Sequence, residues 1–206
     1  ALFIHHFGDP ATNPMGWPCQ EIQNICSVQT GATPRREVVE YYEKGTVPWV
    51  KTGEVCKGFI ATAEEFITDR ALSETNCKLF PVGTILIAMY GQGVTRGRAG
   101  MLDIPAATNQ ACAAILPSEK INRRYLFELL RTQYQRLRAM GRGGNQANLN
   151  LGMIKAFEVP LPPMATQDDF VERAQAIDAI CSQQSTALAK AQSTFDALLA
   201  QAFAPT

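Results

Sequence analysis

The chain has 206 residues, 46% hydrophobic and 8% aromatic, enough apolar matter for one buried core plus an extension. No apolar run approaches the roughly 20 residues that a membrane-spanning helix needs, and the first residues lack the basic-then-apolar order of a secretory leader, so a cytoplasmic home is expected. The net charge is zero, yet between Thr75 and Phe157 eleven bases face three acids, a local balance of +8 that points to a polyanionic partner.

In chain order, Ala1-Leu2-Phe3-Ile4-His5-His6-Phe7 reads as the end of a helix, and Gly8-Asp9-Pro10, Asn13-Pro14 and Gly16 make a turn-rich exit from it. Residues 1–13 are therefore set apart, with a globular domain over 14–163. Cys19 to Gln29 fits helix and strand equally well. Thr30 to Arg36 is a loop, and Val47 to Lys51 is a short strand that Pro48 assigns to a sheet edge. A short helix is expected over Glu64 to Leu72. Gly83 to Tyr90 is the most apolar run and reads as a buried strand. Ala106 to Leu116 is a second inner strand or strand pair. Asn122 to Met140 is helical, with Leu126, Leu129, Leu130, Leu137 and Met140 facing inward and Arg124, Arg131, Arg138 and Arg142 recurring about every seven residues on another face. An amide-rich loop, Gly141 to Asn148, leads to a strand over Ile154 to Leu161. Helices and strands interleave without regular βαβ spacing, so the fold class is α+β.

The last segment, 164–206, is the most regular. Thr166 offers an N-cap with Asp169 three residues on, and no Gly or Pro intervenes until Pro205. A continuous helix of about 36 residues, about 54 Å long, is predicted. Heptads place Phe170, Ile177, Gln184, Ala191 and Leu198 in one row and Ala174, Cys181, Leu188, Phe195 and Ala202 in the other. Such a seam implies either half of a helix pair or packing along its own domain. Ala1 to Phe7 also echoes Ala197 to Phe203, with Ala, Leu and Phe at matching offsets. The echo implies one unit of a tandem duplication or a short chain that pairs with itself.

Catalytic signals are weak. Gly91-Gln92-Gly93 follows a strand but lacks the lysine and hydroxyl of a phosphate loop, and His5-His6 are the sole histidines. The cysteines (Cys19, Cys26, Cys56, Cys77, Cys112, Cys181) form no C-x-x-C pair and read as buried, reduced thiols. Recognition is better supported. Arg96 and Arg98 flank Gly97 after a buried strand and can present two guanidinium forks to guanine edges or phosphates. Asn145 and Gln146 supply amides suited to adenine, and Gln92 is a further candidate DNA contact. Arg35, Arg36, Lys51, Arg124, Arg131, Arg138 and Arg142 are candidate DNA contacts, with an ordinary solvated surface as the other reading.

Trp17-Pro, Gly31-Ala-Thr-Pro, Val47-Pro-Trp-Val-Lys-Thr-Gly-Glu, Ile85-Leu-Ile-Ala-Met-Tyr-Gly-Gln-Gly, Thr108-Asn-Gln-Ala-Cys-Ala-Ala-Ile, Asn148-Leu-Asn-Leu and Val159-Pro-Leu-Pro-Pro follow one another in this order. Together they resemble the specificity subunit of type I restriction-modification systems, and Phe7-Gly-Asp-Pro resembles the junction after a conserved helix there. The resemblance implies a DNA target recognition domain followed by a long conserved helix that packs antiparallel against a second one, through Phe170, Ala174, Ile177, Cys181, Leu188, Ala191, Phe195 and Leu198. It implies a non-catalytic subunit reading one half of a split DNA site. No cofactor is expected on this chain. Methylation (M) subunits would supply S-adenosylmethionine chemistry, and the restriction (R) subunit ATP hydrolysis. One recognition domain is present where the usual subunit has two, so the chain is either a fragment or a short subunit that dimerises. The rival readings are the recognition region of a single-chain restriction-methylation enzyme and a coiled-coil module that binds protein.

Overall fold

The structure, a computed structural model, describes residues 2–91, 93–141 and 148–203. Helix α1 (Leu2–Phe7) is short, and Phe3 and Phe7, one turn apart, fall on the same side. Their rings pack at 5.0–5.5 Å from those of Tyr125 and Phe170. The opening residues therefore belong to the core, and His6 sits beside Phe170 rather than outside the globule. Aromatic burial of this size outweighs the turn residues that seemed to detach the segment.

The ambiguous stretch that follows is both strand and helix: β1 (Cys19–Glu21), α2 (Ile22–Ile25) and β2 (Val28–Thr30). Next come β3 (Val47–Val50), a 3-10 turn (Thr52–Lys57), β4 (Phe59–Ile60), β5 (Glu65–Ile67) and α3 (Asp69–Glu74). The helix expected from Glu64 starts only after Thr68, whose hydroxyl accepts the Ala71 amide. Strand β3 lies between β5 and β8 (Ala107–Thr108), not at an edge. Proline is tolerated there because the ladder with β8 covers only Trp49 and Val50, leaving Pro48 beyond its end.

The main sheet runs β2-β9-β6-β7-β4, where β6 is Ile85–Ala88, β7 is Ala99–Leu102 and β9 is Cys112–Ile115. Strand β6 is buried on both faces. Ile85 and Ile87 join the core beneath the helices, and Leu86 and Ala88 join a second core with Val55 and Phe80. That double burial is why its sequence is an unbroken apolar run.

The segment from Asn122 is two helices, α4 (Arg123–Thr132) and α5 (Tyr134–Met140). At the join the Thr132 hydroxyl donates to the Leu129 carbonyl at 2.7 Å, competing for a helix acceptor, and Gln133 is buried in the bend. The last expected strand is shorter, with α6 (Leu151–Lys155) before β10 (Glu158–Pro160), which pairs with β1.

Helix α7 (Met164–Ala202) has 39 residues, or about 58 Å. It begins two residues before the predicted cap, directly after Pro163, so Thr166 lies inside the first turn. The anchor is Gln167, 1% exposed, which accepts the Asn122 amide at 2.9 Å and donates to the Pro162 carbonyl at 2.8 Å. Phe170, Val171 and Ala174 complete the docked part. From Ile177 the helix carries its apolar residues exposed, a stalk of about 39 Å at 1.5 Å per residue.

Candidate nucleic-acid interface

A cation already paired with a carboxylate of its own protein is less available to a polyanion than an unpaired one, and this difference separates the candidates. Arg124 is turned inward, its side chain 15% exposed, paired with Glu128 and Asp178 at 2.8 Å each and stacked 4.7 Å from the Phe59 ring. It is a tether between α4 and α7. Arg131 also pairs with Glu128, at 3.1 Å. Arg36 lies against Tyr42 and Trp49 and binds Glu65 at 2.8 Å, and Lys51 binds the same carboxylate at 2.7 Å. Hydrogen bonds from Lys51 and Arg36 hold the Glu65 carboxyl below the usual glutamate range. Arg124, Arg36 and Lys51, expected as DNA contacts, are thus each paired with carboxylates of their own protein. Glu128 is one helical turn from Arg124 and Arg131, but Glu65 and Asp178 lie 14 or more residues from their partners, where no local pattern shows them. Arg35 is exposed and enters no ion pair among the described residues.

A second group has no carboxylate partner among the described residues: Arg96, Arg98, Arg136 and Arg138. Arg96, Arg98 and Arg138 gather where the turn between β6 and β7 meets α5, whereas Arg136 lies against Phe157. Gly93 and Gly97 hold positive φ in that turn, and a Cβ on Gly97 would sit 3.3 Å from the Arg138 amide nitrogen. The turn is closed by Gly97 N–H to the Ala88 carbonyl at 2.8 Å and Arg98 N–H to the Thr95 carbonyl at 3.0 Å. Arg98 lies 4.2 Å over the Tyr134 ring, Arg136 lies 4.6 Å over Phe157, and Arg138 donates to the Gly93 carbonyl. Arg96 is half-buried, with its Nε lacking a partner. Sequence reasoning passed over Tyr134, although its spacing of four from Arg138 places the two on one helix face. The expectations for Gln92, Arg142, Asn145 and Gln146 lie outside the described residues.

The predicted seam also divides. Phe170 and Ala174 serve their own domain's core instead of a partner helix. Ile177, Cys181, Leu188, Ala191, Phe195 and Leu198 are exposed, Leu188 by 72%, and Ile180 and Leu199 extend the same bare surface. The thiols are split likewise. Cys19, Cys56 and Cys181 are exposed, contrary to expectation, because they sit on an edge strand, a 3-10 turn and the stalk. Among the described residues no group of three His, Cys, Asp or Glu side chains could hold a metal, and no helix is long and apolar enough to cross a membrane.

Residues 14–190 match the family described as the type I restriction modification DNA specificity domain. The chain is 26% identical over 145 residues to the Escherichia coli EcoR124I/EcoR124II specificity subunit, covering 69% of this chain and 36% of that protein. It is 29% identical over 157 residues to the MjaIX specificity subunit of Methanocaldococcus jannaschii, covering 72% of this chain and 35% of the relative. Its fold is similar to the HsdS subunit from Thermoanaerobacter tengcongensis, with a TM-score of 0.63 at 19% identity, over 93% of this chain and 44% of that one. It spans little more than a third of the length of these two curated relatives. An α+β head, a long exposed helix and a match over most of its length make this chain a member of the type I restriction modification DNA specificity domain family.

Proposed function

We propose that this chain is one recognition unit of a type I specificity subunit, reading one half of a bipartite DNA site and performing no chemistry itself. The observation that carries this reading is the turn after β6, where Arg96 and Arg98 have no carboxylate partner among the described residues. Exposed guanidinium groups neutralise phosphates and release counterions, a sequence-blind attraction that weakens as salt rises. One or two forks then select bases, at about 1–3 kcal/mol per good bidentate pair.

The stalk is the second half of the reading. Its apolar stripe is too long to remain in water and suits a second helix, from another copy or from a second unit of one longer protein. Two heads held by paired stalks of about 39 Å would span more than one duplex turn of roughly 34–36 Å. On this reading, methylation subunits carrying S-adenosylmethionine and a restriction subunit using ATP would be the partners that dock around the stalk.

Fluorescence anisotropy with a random duplex at two salt concentrations tests the electrostatic part. Affinity falling steeply with salt is expected, and no salt-sensitive binding would sink the reading. Co-expression with methylation subunits and mapping of modified adenines tests the rest. A split site indicates two different heads, and a palindrome indicates two copies of this one.

A further inference from the structure

We infer that Tyr134 and Arg138 are positioning residues for sequence discrimination: they lock the turn after β6 so that Arg98 faces DNA edge-on, and they do not contact DNA themselves. The inference rests on the DNA-recognition reading above. Tyr134 grips the turn twice. Its hydroxyl donates to the Val94 carbonyl at 2.9 Å, and its ring carries the Arg98 guanidinium 4.2 Å from the centroid. The same hydroxyl accepts from Arg138 at 2.9 Å, and Arg138 also donates to the Gly93 carbonyl. Both bonds leave from the Nη1 of Arg138, which pins its guanidinium to the turn, while the Nη2 and Nε donors take no part in the clamp.

The consequence falls on Arg98. Its Nε donates to the Val94 carbonyl at 3.3 Å, and its flat face is covered by Tyr134, so the plane of the fork is fixed. The two terminal amino groups remain on an exposed edge. A fork held in one plane pays little ordering cost when it meets two acceptors, which is the geometry of the guanine O6/N7 edge. The turn itself has no slack, because a Cβ on Gly97 would press on the Arg138 amide at 3.3 Å and the Tyr134 carbonyl at 3.4 Å.

The test uses the full chain with its methylation subunits and a duplex selected by the wild-type complex from a randomised pool. Tyr134→Phe keeps the ring and removes both hydroxyl bonds, and Arg138→Met removes the clamp. Each is expected to weaken binding to the selected duplex about tenfold while leaving random-duplex affinity, which also reports folding, within about twofold. The salt slope should not change, whereas a lost phosphate contact lowers it by about 0.9. In an Arg98→Ala background Tyr134→Phe should add nothing. Full retention of selected-duplex affinity by Tyr134→Phe, an undiminished loss in the Arg98→Ala background, or a lowered slope for Arg138→Met would each overturn the inference. A wild-type complex that selects no sequence overturns the recognition reading first, and the inference with it.

Discussion

The Arg124 guanidinium lies 2.8 Å from the Asp178 carboxylate, joining α4 to α7 between residues 54 positions apart. The bond sits where the stalk leaves the head, just past the last buried position, Ala174. It sets the departure angle of the stalk more than it sets stability, since Asp178 is half exposed and such pairs contribute at most about 1 kcal/mol. Asp178→Ala should lower stability by less than about 1 kcal/mol while broadening the distance distribution between spin labels on the head and the distal stalk. An unchanged distribution would assign the angle to Phe170 and Gln167 alone.

Truncations on α7 should behave in two opposite ways according to which side of that bond they lie. Phe170, 1% exposed within an aromatic cluster, should cost about 3–5 kcal/mol when replaced by alanine. Leu188→Asp or Phe195→Asp should leave the melting temperature of the head within a few degrees, because both side chains are exposed. The same aspartates should abolish helix pairing, which sedimentation of the chain with its paired unit measures.

Acid should loosen the Arg36–Glu65–Lys51 cluster. Glu65 has its carboxyl held below the ordinary range in the folded state, so the unfolded chain binds its proton more readily. The stabilisation is therefore fully present at neutral pH and is lost as pH falls from about 4.3, the ordinary glutamate value, through the lower folded value. Urea midpoints followed downward from pH 6 should fall for the wild type and show a shallower acid limb for Glu65→Gln.

Thiol reactivity should follow burial. Burial pushes the Cys26 thiol up to about 11 and the Cys112 thiol up to about 12, so neither supplies thiolate at pH 8. Cys19, Cys56 and Cys181 are exposed and should be alkylated first. Pairing of the stalk should protect Cys181 alone, a change that mass spectrometry of the alkylated peptides resolves.

Much of this architecture is legible along the chain because it rests on short-range periodicity. The apolar run of β6 and the uninterrupted stretch of α7 announce themselves, and the exposed stripe from Ile177 to Leu198 follows from heptad spacing. What hides is whatever depends on a remote partner. Glu65 pairs with Arg36 and Lys51, and Asp178 pairs with Arg124. Helix α1 looks like a detached end until Tyr125 and Phe170 surround Phe3 and Phe7. The break at Gln133 turns on a hydroxyl, Thr132, that a helical pattern absorbs without comment.

Because the first turns of α7 are part of the core, head and stalk share one continuous helix. A recombinant swap that grafts a foreign head at Pro162-Pro163 would strip it of Gln167, Phe170 and Ala174 and leave a hydrophobic wound. Chimeras that exchange DNA preference should be spliced beyond Asp178, inside the helix, where only solvent-facing positions are cut.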